Sequence, residues 1–476
     1  MDLYFYLIIG IALVILIIII KAICFKDKTD YKKNVEHNIE HDDIVYKLGE
    51  LIKIPTISHP NKEDVDFSVF QQYIDKVKEL YPNVFSKCEF TQTEEYAIKL
   101  LLKGKSSDNP TVLMAHYDVV PVTEGWEYDP FLGEVVDGYL YGRGTLDTKN
   151  TMACCLSALE KALENNYIPN NDLYLCFGSN EEVNGKSQLK LVEEFKKNGI
   201  KPVLVFDEGG GILQKGFPGV SSDVAYLGVV EKGTLNVKLS YEGNGGHAST
   251  PKKNGPAVRI SKALIRLEKH PMKAKYIKTT KEQIKKMGQN AIFPLKILLG
   301  NMWLFRGLVK KLFSAVSSDG NALFRTTFAF TILRGGSQEN IIPNHVEAVI
   351  NIRVAPFNNV DEVIKHIKKV IKDDSIKVEV LEYTKQYPEC DINQKGYEII
   401  KECTIETYNN TVVAPFLMLG GTDGRHYNEI SDCVIRFSPM ILTQKDRAGI
   451  HGLNERFKVE NLKKCLEFYE RLLKKI

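Results

Sequence analysis

Short apolar runs alternating with helical segments fill the first half of this chain, and that alternation restricts the fold more than any other feature. Residues 111–115 are an apolar stretch bounded by Pro110 and by polar residues beyond, which reads as a strand buried on both faces. A helix is predicted over about 151–164, a strand over 173–177, a helix over about 186–197 closed by Gly199, and a strand over 203–206. Strand and helix in turn predict an α/β fold, a mostly parallel sheet with crossover helices, and open sheets of that kind gather their sites at the carboxyl ends of strands.

Those strand ends carry chemistry. The first ends in His116, the second runs into Ser179-Asn180-Glu181-Glu182, and the third into Asp207-Glu208 followed by three glycines. Side chains alternate along a strand, so Asp118 leaves on the face of His116 and can take the proton of the imidazole nitrogen turned away from a metal. After a hairpin turn at Asp137-Gly138, glycines at 142 and 144 let the backbone bend and deliver Asp147 just ahead of the first helix. Near the end of the chain, a loop holds His451 with Glu455 four residues on.

His116, Asp147, Glu182, Asp207 and His451 form a candidate ligand set of nitrogen and oxygen donors without a cysteine, which suits zinc, cobalt or manganese. One cation leaves donors unused, whereas two about 3.5–4 Å apart, bridged by a carboxylate, use them all. Asp147 is the expected bridge. Whether Asp207 or its neighbour Glu208 ligates is open at this level. Adjacent Glu181 and Glu182 cannot point the same way from an extended backbone, so Glu182 is expected to ligate and Glu181 to serve as general base.

After Gly228 the pattern changes. Strands over 234–241, 326–333, 346–354 and 376–381, with helices over 256–268 and 360–371, predict a compact α+β unit at 232–385 inserted into a catalytic domain of 44–231 and 386–476. The returning part holds a helix over 396–408, a glycine-rich loop around Gly421, Thr422 and Arg425, a strand over 433–437 and a closing helix over 459–476.

The first residues differ from all others. Residues 3–20 form an uncharged apolar run of 18, the lower end of what a bilayer-spanning helix needs, and we read residues 1–24 as a single membrane anchor followed by a linker at 25–43. Five lysines between 21 and 33 flank the C-terminal end of the apolar run and none precedes it, so the positive-inside rule favours a cytoplasmic body. Nine cysteines without paired spacing agree with that compartment. With 63 basic against 60 acidic residues and no clustered arginine and aromatic surface, nucleic-acid binding is not expected.

His116-Tyr-Asp118, Gly142-Arg-Gly-Thr-Leu-Asp147, Glu181-Glu182, Asp207-Glu-Gly, Gly246-His247-Ala-Ser, Gly421-Thr-Asp423 and His451-Gly-Leu-Asn-Glu455 together resemble the di-zinc metallopeptidase family of carboxypeptidase S, aminoacylase and N-fatty-acyl-amino-acid hydrolase/synthase. The motifs stand in family order over nearly everything after residue 44. The resemblance implies two Zn2+ ions on the ligand set above, Asp118 as orienting carboxylate and Glu181 as base. It also implies that the inserted unit is a lid and often a homodimer surface, with His247 polarising the scissile carbonyl, sometimes from a partner subunit. Asn340 and Arg353 match positions on the lid side of the site. Ser179-Asn180 stands where the family often has His-Asp. Arg425, beside the glycine loop, is a candidate fork for a substrate carboxylate.

The expected activity is hydrolysis of an amide next to a free carboxylate, in an N-acyl amino acid or a short peptide. The rival is a silent, membrane-tethered binding protein on the same fold, against which the intact ligand set argues. One further stretch, residues 302–316, has an apolar helical face opposed by Arg306, Lys310 and Lys311. It reads either as a helix packed on its own core or a dimer mate, or as one that lines an acyl groove or lies on a membrane surface.

Overall fold

The computed structural model describes residues 2–31 and 42–476, so most of the expected linker lies outside the described residues. Helix α1 (Asp2–Cys24) stands first; an 18-residue window within Leu3–Cys24 has a mean hydropathy of 3.2 and is only 6% buried. Among the described residues it is the one helix long and apolar enough to cross a membrane.

The body is built on a ten-stranded sheet. Helices α2 (Asp42–Ile52) and α3 (Phe67–Leu80) precede β1 (Glu89–Gln92), β2 (Ile98–Leu102) and β3 (Ser106–His116). Then α4 (Lys149–Glu164) leads to β4 (Asn171–Gly178), and α5 (Ser187–Lys197) to β5 (Leu204–Asp207), followed by β6 (Gly211–Leu213) and β7 (Asp223–Glu231). Apolar side chains on both faces of β3 to β5 require cover on both sides, and they receive it: α4 is buried through its first three turns, while Leu191, Val192 and Phe195 of α5 close the other face.

The chain next leaves for a second sheet of four antiparallel strands, β8 (Gly233–Glu242), β9 (Thr327–Gly335), β10 (His345–Val354) and β11 (Lys377–Tyr383), in the order β9-β10-β8-β11. Alternate residues of β10, from Val346 to Val354, face inward against Leu235, Val237 and Leu239 of β8. Helices α6 (Pro256–Lys269) and α10 cover that face; between them run α7 (Lys278–Asn290), α8 (Phe293–Gly300) and α9 (Met302–Val316), and α10 is Val360–Ile371. This unit has an apolar core of its own. Helices α7 and α8 were not read from the sequence, because α7 is too polar to show an apolar period.

The chain then returns through α11 (Lys395–Thr407), β12 (Thr411–Met418), β13 (Val434–Arg436), β14 (Ile441–Leu442) and α12 (Val459–Leu473), whose Phe468 ring lies 5.7 Å from Phe206 of β5. The large sheet runs β1-β2-β4-β3-β5-β13-β7-β6-β14, with β12 also on β7. It is mixed: five of its nine pairings are parallel, as expected for the centre of the sheet, and four are antiparallel, which the sequence did not indicate. β4-β3-β5-β13, β6-β14 and β7-β12 pair in parallel; β1-β2, β2-β4, β13-β7 and β7-β6 are antiparallel. The connections β1 to β2 and β6 to β7 are too short for the dozen or more residues that a parallel crossover takes.

Candidate active site

His116 is the last residue of β3, fully buried, and its ring is held on both edges. Nδ1 lies 3.0 Å from the Asp118 carbonyl oxygen and 3.3 Å from its carboxylate, while Nε2 is 3.2 Å from both Asp147 Oδ1 and Glu208 Oε1. Asp118 does a second job: its carboxylate accepts the backbone N–H groups of Glu181 at 3.1 Å and Glu182 at 3.2 Å, fixing the turn beyond β4.

Asp147 faces two imidazoles at once. Its Oδ1 is turned to His116, and its Oδ2 is 2.9 Å from His451 Nε2, which is itself 2.9 Å from Glu182 Oε2. The turn that delivers Asp147 is clamped by Glu455, whose buried carboxylate accepts N–H groups from Gly144, Leu146 and Asp147 at 3.1, 2.7 and 3.2 Å and pairs with Arg143 at 2.7 Å. Gly142, at φ 149°, has no alternative: a Cβ there would sit 2.3 Å from Ile52. Sequence reasoning noted Glu455 but gave it no role; the signal was its fixed distance from His451.

At the end of β5 the structure separates the two acids. Asp207 turns away from His116, and its carboxylate accepts the Gly424 N–H at 2.7 Å; Glu208, one residue on and so on the opposite side of the strand, enters the cluster instead. Of the two acids that the sequence left open, Glu208 is the one that lies beside His116. Two overlapping groups of donor atoms result, each within 4.8 Å: His116, Glu181 and Glu208, and His116, Asp147 and Glu182.

The electrostatics of this donor set favour added positive charge. Burial pushes Glu181 well above the usual carboxylate range, Glu208 up to about 8 and Asp423 up to about 7, with neighbouring carboxylates pushing the same way. His451, hydrogen-bonded to Asp147 and Glu182, is raised to about 10; His116 is raised too, since Glu208, Asp118 and Asp147 outweigh its burial. Glu182 Oε1 is buried and has no hydrogen-bond partner among the described residues. Crowded acids on two imidazoles with an unpartnered carboxylate oxygen fit a pair of divalent cations.

Beside the cluster, where the two sheets meet, is a cleft of about 160 Å³ lined by Glu181, His451, Arg353, Arg425, Lys232 and Arg436. Arg436, buried at 1% exposure, is paired with Glu231, which also accepts the Thr422 hydroxyl at 2.9 Å. Arg425 donates to the Thr422 carbonyl at 2.9 Å and Arg353 to the Thr234 hydroxyl at 3.0 Å, each leaving guanidinium donors toward the cleft; Gly421 forms its wall. Lys232, which sequence reasoning missed, is held by burial at about 7. His247 and Asn340 are not brought here. They are exposed on an arm where the Ala248 N–H meets the Asn340 carbonyl at 3.0 Å, and His247 Nδ1 is engaged by Ser249.

Imidazoles and carboxylates converging at strand ends, beside a cationic cleft, define a metal-dependent hydrolase. The model of peptidase family M20/M25/M40 matches residues 112–475. The chain is 33% identical to the N-fatty-acyl-amino acid synthase/hydrolase PM20D1 of Xenopus tropicalis, over 91% of this chain and 86% of that one. It is 31% identical to the probable carboxypeptidase S-like 2 of Dictyostelium discoideum, over 91% and 85%. The M20 family metallo-carboxypeptidase Sso-CP2 from Sulfolobus solfataricus shares the fold, with a TM-score of 0.69 at 20% identity, over 91% of this chain and 99% of that one. The chain belongs to the M20/M25/M40 peptidase family.

Proposed function

We propose that this protein is a two-cation amidohydrolase that cleaves the amide next to a free carboxylate, with N-acyl amino acids of lipid-like acyl group as the favoured substrates and short peptides as the alternative. The observation that carries the reading is Asp147, whose two carboxylate oxygens face His116 and His451 separately. In this reading His116, Asp147 and Glu208 would hold one cation and Asp147, Glu182 and His451 the other, Glu208 being chosen over Asp207 because it lies beside His116. Zinc suits these donors best, and cobalt or manganese would serve. When bound, the pair polarises the scissile carbonyl and makes a water nucleophilic at neutral pH.

The chain's own residues do the rest. Glu181, buried beside the cluster with its carboxyl raised, takes a proton from the attacking water and gives it to the leaving nitrogen. Arg353 and Arg425 bind the substrate carboxylate, helped by Lys232. Gly421 and Thr422 shape the wall behind it. The cleft of about 160 Å³ accommodates a carboxylate head, so a long acyl chain extends outside it. His247 and Asn340, exposed on their arm, act on the site of a second copy, the inserted unit serving as lid and homodimer surface. Helix α1 is a single membrane span, and the five lysines that follow its apolar run favour a cytoplasmic catalytic body.

The test is a substrate panel on the full chain loaded with zinc. N-fatty-acyl amino acids should be turned over with kcat/KM at least tenfold above unblocked dipeptides, and their carboxyl-amidated counterparts should be inert. Equal rates on the amidated compounds would refute recognition through a free carboxylate.

A further inference from the structure

Helices α8 and α9 carry no residue of the site and pair with neither sheet. Their inner side is ordinary core: Met302, Phe305, Val309 and Phe313 close around Phe324. Their outer side is unusual for a helix in water. Trp303, Leu304, Leu308 and Leu312 are 54, 47, 48 and 42% exposed, and the three leucines repeat every fourth residue as one stripe. Between Asn290 and Asp319 the sequence has four basic residues, Lys296, Arg306, Lys310 and Lys311, and no acid.

An independent observation says what covers this stripe. Helix α1 is clamped to α7, α8 and α9. The buried Asn301, at the α8–α9 junction, donates to the Ile18 carbonyl at 3.1 Å, and Lys21 Nζ lies 5.4 Å from the Trp303 ring centre. The Phe25 ring covers Gly288 and Gly300, where a Cβ would approach it to 2.7 and 3.1 Å. Asp27 accepts from Lys286 at 3.0 Å, Asn290 at 3.1 Å and Tyr31 at 2.6 Å. The helices therefore share one frame with α1. Ile18 lies three residues before Lys21, about 4.5 Å along the α1 axis at 1.5 Å per residue. A span that embeds α1 with Lys21 at the interface carries the α8–α9 junction about 4.5 Å below it, the shallow edge of the roughly 5–10 Å to which amphipathic helices bury their apolar faces. A tryptophan beside a lysine is what such an interface collects.

We propose that α8 and α9 are a second membrane contact, immersed in the bilayer leaflet at the C-terminal end of α1, with the 304–308–312 leucine stripe in the acyl boundary and the basic side chains among anionic headgroups. The partner is a lipid surface. The contact orients the hydrolase, because α8 and α9 are joined to the body where the Ile292 N–H meets the Gly219 carbonyl at 2.8 Å and the Phe313 ring meets Phe217 at 5.7 Å. This proposal rests on α1 being a span and not on the catalytic assignment.

The test uses the full chain in vesicles of phosphatidylcholine and phosphatidylserine. Trp126 and Trp303 are its two tryptophans, so Trp126→Phe leaves Trp303 as reporter, and adding Trp303→Phe with Leu312→Trp moves the reporter down α9. Emission from both positions should at least halve with lipids brominated near the glycerol end of the acyl chain and resist aqueous iodide, while Trp303→Phe alone, reporting Trp126, should do the reverse. The difference between the unmodified chain and Trp303→Phe gives the same reading should Trp126→Phe fold poorly. If the protein resists alkaline extraction but position 312 is quenched by iodide and not by brominated lipid, the platform is refuted while the anchor stands. Complete extraction at alkaline pH refutes both.

Discussion

A buried carboxylate with one oxygen toward each of two imidazoles, as at Asp147, needs positive charge beside it, from protonated imidazoles in the metal-free chain or from cations that displace those protons. Glu181→Gln keeps the shape of the site and removes its proton carrier, so kcat should fall by about 10²–10⁴-fold with metal content unchanged, as measured by mass spectrometry. Glu208→Gln and Asp207→Asn separate two neighbours: the first should weaken zinc binding by about 10–100-fold or more, whereas the second, which loosens the Gly424 contact, should cost affinity less. The pH dependence has a definite sign. Glu208 is raised to about 8 from 4.5 and His451 to about 10 from 6.5, so the metal-free folded chain holds protons that the unfolded chain has lost. Stability from these groups is full below the unfolded values and drains as pH rises through 8 and 10. Cations must displace the same protons, so apparent zinc affinity should rise through pH 8 by roughly tenfold per unit for each proton displaced, read by competition titration. His116, Asp147, Glu181, Glu182 and His451 could be grouped from the sequence because each follows a strand end, a glycine turn or a recurring motif. The choice between Asp207 and Glu208 could not, since it depends on where β5 stops, and strand ends are the least legible boundary.

Elements hold these residues in place. Glu455 ties the turn of Gly144 to Asp147 to the loop of His451, so one side chain aligns donors that lie far apart in the chain. Glu455→Gln leaves Arg143 buried with a weakened partner; we expect a loss of about 3–5 kcal/mol in stability and a drop in metal affinity, and Arg143→Lys should retain part of both. Denaturant melts of the metal-free and zinc-loaded forms would show whether the effect acts on the fold or only on the site. The sequence exposed β3, β4, β5 and α4 because buried parallel strands and their helix have strong, distinct apolar patterns. It did not expose the antiparallel partners of the large sheet, since pairing direction follows from connection length and not from side-chain pattern. Nor did it expose Lys232 or Arg436, which look like ordinary basic residues until β7 and β13 bring them to the cleft.

At the scale of the whole molecule, the inserted unit has its own core and carries His247 and Asn340 on an exposed arm away from the cleft of the same chain. If that arm serves a second copy, mixing an inactive Glu181→Gln chain with an inactive His247→Ala chain should restore up to about a quarter of the activity, read as rate against mixing ratio; no recovery would assign His247 to its own chain or to no role. The central claim is simpler, and metal content tests it ahead of turnover. The purified full chain should hold two divalent cations per molecule by metal mass spectrometry, fall below one after Asp147→Asn, and regain hydrolysis of an N-acyl amino acid only when cations are returned after chelation. Hydrolysis that survives complete chelation, or metal binding that ignores Asp147, would contradict it.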